Sequence, residues 1–132
     1  MDTLFKIQIL LSGLIAGWIV FQTAFVAPIV FTKLEDAQKA LVLRAIFPKL
    51  FKAVTVAGAI YLVLGVISEV QILPMVVGGY TIASGILCNT LVPATNRARD
   101  NGDQKKFALL HKISVILTMG TLILHLGWIY FV

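Results

Sequence analysis

The polar side chains that could do chemistry in this sequence are few, and most of them lie inside apolar stretches. Five fall toward the same end of those stretches: Gln22, Asn89, His111, Ser114 and Thr118. The last three have i, i+3, i+7 spacing, which places them on one face of a helix. Counting about 1.5 Å per residue, Gln22 meets Thr118 in depth and Asn89 meets His111. The pattern predicts a small polar pocket that binds or passes a small molecule.

Interhelical hydrogen bonding is the other explanation of the same five residues. Such bonds contribute about 0.6 kcal/mol per pair between membrane helices, and they need no ligand. From the sequence we favour this structural explanation, and we keep the pocket as an alternative function.

The two histidines, His111 and His125, are 14 residues apart on one predicted helix. That spacing separates them by about 21 Å and about 40° of rotation, so they cannot bind one metal ion together. In a homodimer with its two-fold axis along the membrane normal, each histidine would face its twin and could ligate haem b. His125, flanked by Leu124 and Leu126, is the better candidate ligand. A haem-binding redox protein is therefore a second alternative, although a lone membrane histidine is more often a hydrogen-bonded structural residue.

Other chemistries lack the residues that they require. The apolar stretches contain no carboxylate, which disfavours a transporter with an acidic proton relay. Motifs of hydrolases, metalloproteases and phosphate-binding loops are absent. Cys88 is the single cysteine, so there is no disulfide and no metal-ligand pair. The sequence predicts a protein that is not an enzyme and that holds no metal.

The elements that must position these residues are four apolar stretches. Hydrophobic residues make up 59% of the 132 residues and charged residues 13%, against about 45–50% and about 25% in ordinary globular domains. The stretches cover 7–31, 50–68, 75–93 and 107–132, and each has roughly the 20 residues needed to cross a bilayer. Because lipid offers no hydrogen bonds to an exposed backbone, such spans are helices. The sequence predicts an all-α integral membrane four-helix bundle formed by a single domain, residues 1–132.

Prolines and glycines predict the local shape of these helices. Pro28 predicts a bend or fraying in the last turns of the first span. Residues 33–48 predict a short interfacial helix between the first two spans, ending before Pro48. The other connections are a tight hairpin at 69–74 and a solvated loop at 94–106. Glycine pairs at regular spacing predict close helix packing: Gly58/Gly65, Gly78/Gly85, Gly120/Gly127 and Gly13/Gly17.

Basic residues are distributed unevenly between the two ends of the predicted bundle. Ten of the 11 Lys and Arg residues surround the first and third connections, and only Lys6 lies on the other side. By the positive-inside rule, both basic connections are cytoplasmic and both chain termini are outside. The same distribution explains the net charge of +5 without nucleic acid, which we do not expect as a partner. The lack of a presequence favours the bacterial inner membrane.

Two parts of the chain are similar to a known family. Residues 21–31 followed by 46–51, together with 107–115, resemble the transmembrane protein 205-like family, a domain of unknown function found in bacteria and eukaryotes. The resemblance extends over nearly the whole chain and depends on Phe25, Pro28, Phe47, Pro48, Phe51, His111 and Ser114. The family pattern often has an asparagine one turn after the histidine and serine, where this chain has Leu117-Thr118. The resemblance implies a four-helix membrane protein and no established activity.

The function predicted from the sequence is that of a small non-enzymatic membrane protein. Its soluble connections are too short to form a domain, and four spans leave little interior volume. We expect an accessory or assembly subunit of a larger membrane complex, or a homo-oligomer, that packs through its glycines. Its predicted partners are the lipid bilayer and either other membrane subunits or a second copy of itself. We expect no cofactor unless the haem alternative is correct.

Overall fold

The computed structural model describes residues 3–68 and 72–131, which are helical apart from short turns. The helices are α1 (Thr3–Phe21), α2 (Ala27–Lys33), α3 (Asp36–Ile67), α4 (Ile72–Asp100) and α5 (Gln104–Gly127); a π-helical turn, Gln22–Val26, joins α1 to α2, and a 3-10 turn, Trp128–Phe131, follows α5. Four stretches are long and apolar enough to span a membrane: Thr3–Lys33, called the first span below, Asp36–Ile67, Ile72–Asp100 and Gln104–Phe131. The predicted all-α four-helix membrane bundle is confirmed.

The bundle has two chemically different ends. The connections at 34–35 and 101–103 lie at one end, close to most of the Lys and Arg residues, and we call it the basic end. The start of α1 and the end of α5 lie at the other, which we call the terminal end. Of the predicted hairpin 69–74, residues 69–71 lie outside the described residues.

Two helices continue through prolines that the sequence analysis treated as helix ends. Pro48 lies inside α3 and Pro93 lies inside α4. Membrane helices tolerate proline because neighbouring groups satisfy the freed backbone carbonyls. The residues of the predicted interfacial helix therefore form the first turns of α3, and the predicted loop at 94–106 is reduced to 101–103.

Pro28 alters the helix before it and does not end it. Proline has no backbone N–H and would crowd the carbonyl of Ala24 in a regular α-helix. The chain instead forms a π-helical turn, in which the Ala27 N–H donates to the Gln22 carbonyl. The first span then continues as α2 to Lys33. The predicted disturbance at Pro28 thus takes the form of a π turn, and Gln22 is buried in it.

Glycines bring α3 and α4 into close contact. A Cβ atom added at Gly78 would lie 2.8 Å from Leu62 Cβ and 2.9 Å from Leu62 Cα, and one at Gly58 would lie 2.7 Å from the Thr81 methyl group. The predicted packing role of the glycines is confirmed for these two helices. Three other predicted glycines have no atom of the described residues within 4 Å of such a Cβ: Gly13, Gly17 and Gly127.

Candidate functional site

A cavity of about 350 Å³ lies at the basic end of the bundle, between the first span, α3 and α5. Most of its wall is apolar and consists largely of phenylalanine, leucine and other aliphatic side chains. Six polar or charged residues also line it: Gln22, Thr23, Arg99, His111, Ser114 and Thr118. Small-molecule sites in proteins are mostly apolar cavities of about 300–1,000 Å³ with a few polar groups. The size and lining of this cavity match that description.

The structure brings four of the five predicted pocket residues to this cavity. His111, Ser114 and Thr118 line it from α5, as their spacing on one helical face requires. The fifth, Asn89, lies on α4 and is not among the lining residues. The Thr118 hydroxyl donates to the Ser114 carbonyl at 2.8 Å, so it is satisfied within its own helix.

Gln22 is the buried polar side chain of the cavity wall. Its exposed fraction is 8%, and its Nε2 atom has no hydrogen-bond partner among the described residues. A buried donor left unpaired costs about 1–3 kcal/mol. The side chain belongs to the π-helical turn before Pro28, and π turns within helices are frequent at functional sites. Gln22 therefore places an unused donor in the wall of the cavity.

Three side chains stack at the basic end of the cavity. The guanidinium carbon of Arg99 lies 4.8 Å from the centre of the Phe107 ring. The Phe107 and His111 rings stack with centres 5.9 Å apart and 4° between their planes. The turn that joins α4 to α5 places these residues together, and Gly102 takes a φ of 69° in that turn, a conformation that glycine adopts without strain. Sequence reasoning treated Arg99 as one of the basic residues that determine membrane orientation and did not predict this stack.

His125 lies in a second polar cluster, near the terminal end of the bundle. Its Nδ1 atom is 2.9 Å from Ser12 Oγ, and its Nε2 atom is 2.9 Å from Thr81 Oγ1. The Thr81 hydroxyl donates to the Val77 carbonyl, so it must accept from the His125 Nε2–H. The Ser12 hydroxyl then donates to Nδ1, and Ser12 Oγ accepts from the Trp128 indole N–H at 2.8 Å. His125 thus links α5 to α1 and α4.

This arrangement bears on the two predicted haem ligands. Both ring nitrogens of His125 are used in hydrogen bonds, and the side chain is only 3% exposed. Binding of iron by Nδ1 or Nε2 would require the loss of one of these bonds. The other histidine, His111, is exposed and lines the cavity at the opposite end. In the part of the chain that the structure describes, no group of three or more His, Cys, Asp and Glu residues is placed to hold a metal ion.

Aromatic and amide side chains surround the His125 cluster. The Tyr61 ring contacts His125 and Trp128 edge to face, with ring centres 5.1 Å and 5.7 Å apart. Tyr61 and Gln8 are both almost completely buried, and neither Tyr61 OH nor Gln8 Nε2 has a hydrogen-bond partner among residues 3–68 and 72–131. The sequence predicted interhelical hydrogen bonds among the five pocket residues. In the structure, a network of interhelical side-chain hydrogen bonds instead surrounds His125. No spacing motif in the sequence connects Ser12 with His125, which are 113 positions apart.

Comparison with known proteins gives a family and no activity. A family model described as a domain of unknown function, DUF4149, matches residues 10–104. Gln22 and Arg99 lie inside the matched region, and His111 lies beyond it. No curated protein and no solved structure matches the chain. Because the matched region covers more than half of the 132 residues, the chain belongs to the DUF4149 family.

Proposed function

We propose that this membrane protein binds a small amphiphilic molecule in the cavity at the basic end. The observation that carries the proposal is the unpaired Nε2 of Gln22, which is buried in the wall of a mostly apolar cavity. An amphiphile would place its apolar body against the phenylalanine and leucine side chains. One of its oxygen atoms would accept the hydrogen bond that Gln22 lacks.

The role is binding or permeation and not catalysis. A nucleophile needs an adjacent base within hydrogen-bond reach. Among the described residues that line the cavity there is no carboxylate and no thiol. The hydroxyl of Thr118 bonds to its own helix. The cavity therefore offers donors for recognition and no assembled catalytic group.

Replacement of Gln22 by leucine tests the proposal. The probe is 2-bromoundecanol, which carries its bromine on the carbon next to the hydroxyl-bearing carbon and is added to the protein in phosphatidylcholine nanodiscs. Its bromine should quench Trp18, since Trp18 packs against the same apolar cluster as Leu50 and Met119, which line the cavity. We expect saturable quenching that Gln22→Leu weakens about three- to tenfold, because a neutral hydrogen bond contributes about 0.5–1.5 kcal/mol.

The matched control is Asn89→Leu, which removes a carboxamide that does not line the cavity and should leave the quenching curve unchanged. Trp18→Phe should remove the saturable component and so identify the reporting residue. If quenching rises linearly with the probe concentration, and equally in the wild type and Gln22→Leu, the probe only partitions into lipid. That result would contradict the proposed function.

We further propose that the basic end faces the cytoplasm, in a bacterial inner membrane, with both chain termini outside. The uneven distribution of Lys and Arg supports this orientation. Single cysteines at the exposed positions Thr3 and Asn101 test it, because the native Cys88 is buried. An impermeant maleimide should label Thr3→Cys in intact cells and Asn101→Cys only after the membrane is opened; the reverse result would invert the orientation.

A second candidate function is that of an accessory subunit or homo-oligomer. In the fourth span, Gln104–Phe131, 6% of the most apolar segment is buried, against 28–33% in the other three. In the first span, Gly13 and Gly17 are exposed, with no atom of the described residues within 4 Å of an added Cβ. Small residues spaced in this way permit close approach of another helix.

The mass of the detergent-solubilised particle tests this second candidate. If another helix packs on Gly13 and Gly17, the wild-type particle should contain more than one chain, and Gly17→Leu should reduce its protein mass toward a single chain. Gly79→Leu is the control, because Gly79 also has no atom of the described residues within 4 Å of an added Cβ but lies on α4. A single chain in both wild type and Gly17→Leu would contradict the accessory role.

We also propose the finer relationship to the transmembrane protein 205-like family. It is supported by Pro28, which shapes the π turn at Gln22, and by His111 and Ser114, which line the cavity. The positions that carry the resemblance thus cluster around the site that we propose for ligand binding.

A further inference from the structure

We propose that the ligand of this cavity is a single-chain amphiphile with an anionic head, which Arg99 binds, and an uncharged oxygen farther along its body, which Gln22 binds. The inference rests on the proposed function, because it names the class of molecule that the same cavity takes. It follows from the charge of Arg99, the depth of Gln22 and the shape of the wall between them.

Among the described residues, Arg99 is a cation without a counter-ion. It is half-buried in the cavity wall, and no carboxylate of the described residues lies within 4.0 Å of it. The nearest acidic residue in the sequence, Asp100, is paired with Arg44 of α3. The guanidinium group lies over the Phe107 ring. A guanidinium stacked on an aromatic face keeps its N–H edges available for two hydrogen bonds to a carboxylate or phosphate.

Gln22 provides a second polar contact at greater depth. The guanidinium group of Arg99 lies over Phe107, whereas Thr118 lines the cavity 11 positions farther along α5, which is about 16 Å of helix rise. By count along their spans, Gln22 and Thr118 lie at similar depth. The ligand must therefore carry its anionic group at one end and a hydrogen-bond acceptor about 16 Å away.

The wall between these two contacts is apolar and aromatic. Phe47 and Phe51 of α3 lie on it with their rings stacked, 5.7 Å between centres. A cavity of about 350 Å³ is near the lower limit of ligand sites, about 300 Å³. It suits one slender chain and is too small for a lipid with two acyl chains.

Competition against 2-bromoundecanol tests the head charge. The competitors are ω-hydroxydodecanoate at alkaline pH and dodecanediol, which have the same length and one hydroxyl in common but differ in the charge of one end. We expect the hydroxy acid to displace the probe at a concentration about tenfold or more below that of the diol, because charge-assisted hydrogen bonds are roughly twice as strong as neutral ones. Acetate, which has the head without the body, should not displace the probe.

Arg99→Gln should abolish the preference for the hydroxy acid while leaving the binding of 2-bromoundecanol intact. The matched control is Arg97→Gln, two positions away on the same helix, which is exposed and does not line the cavity; it should retain the full preference. Gln22→Leu should weaken both competitors by a similar factor.

The outcomes separate this inference from the proposed function. If 2-bromoundecanol does not bind saturably, the binding function itself fails. If the probe binds but the hydroxy acid and the diol compete equally, the cavity is a binding site and the proposal of an anionic head is wrong. The same conclusion follows if Arg97→Gln and Arg99→Gln reduce the preference for the hydroxy acid alike. If acetate displaces the probe as effectively as the hydroxy acid does, Arg99 binds small free anions, and the proposal of an amphiphilic ligand is wrong.

Discussion

Replacement of His125 by alanine is expected to lower the free energy of unfolding by about 3 kcal/mol, since truncation of a large buried side chain costs about 2–5 kcal/mol. The imidazole bonds to Ser12 of α1 through one nitrogen and to Thr81 of α4 through the other. Its loss also removes a ring packed edge to face against Tyr61. One substitution thus weakens the contacts of α5 with three helices.

His111→Ala is the matched control, because both histidines lie on α5 and only His125 is buried. We expect His111→Ala to change the free energy of unfolding by less than about 0.5 kcal/mol, as exposed substitutions usually do. Titration with sodium dodecyl sulfate in mixed micelles, followed by circular dichroism, measures both. Equal stability of the two variants would contradict the structural role of His125.

The same variants bear on the haem alternative. If the His125 cluster is purely structural, the purified wild-type protein has no Soret band and His125→Ala alters stability alone. A Soret band from haem-replete cells that disappears in His125→Ala, with the fold retained, would instead support haem ligation.

Hydropathy was sufficient to predict the four spans, because lipid imposes helix on every apolar stretch of that length. It was not sufficient to predict where the spans end. Pro48 and Pro93 were interpreted by the rules of soluble helices, in which an internal proline costs about 3 kcal/mol. In a bundle whose neighbouring helices satisfy the freed carbonyls, α3 and α4 continue through them.

The sequence could predict the part of the candidate site that lies on a single helix. The positions of His111, Ser114 and Thr118 on one face of α5 follow from helical periodicity, and all three line the cavity. Gln22 lies in a π turn, where the regular period does not apply. Arg99 enters the cavity from α4 through the tight turn at 101–103, a tertiary arrangement that no local pattern contains.

The His125 cluster shows the limit of sequence reasoning more sharply. Its partners are a serine and a threonine, residue types that are common in membrane helices and carry no motif. Polar residues crowd toward the basic end in the sequence, whereas the hydroxyls of Ser12 and Thr81 lie in the other half of the bundle with His125. Only the packing of α1, α4 and α5 makes them neighbours.

Adjacent glycines on α4 provide the sharpest test of helix packing. Gly78→Ala should lower the free energy of unfolding by about 2 kcal/mol, within the 1–3 kcal/mol typical of an overpacked interior. The added methyl group would lie 2.9 Å from Leu62 Cα and 3.1 Å from Leu62 N on α3. Since these are backbone atoms, rotation of a side chain cannot relieve the clash, and α3 and α4 must move apart.

Gly79→Ala is the control at the next position, where an added Cβ meets no atom of the described residues within 4 Å. Alanine stabilises a helix interior relative to glycine by about 0.5–1 kcal/mol, so this variant should equal or exceed the wild type in stability. The two substitutions have the same chemistry and the same intrinsic effect on the helix, and they differ in the helix face that receives the methyl group. The difference between their unfolding free energies, measured in mixed micelles, therefore reports the α3–α4 contact alone. If Gly78→Ala is as stable as Gly79→Ala, the close approach of α4 to the Leu62 backbone is incorrect.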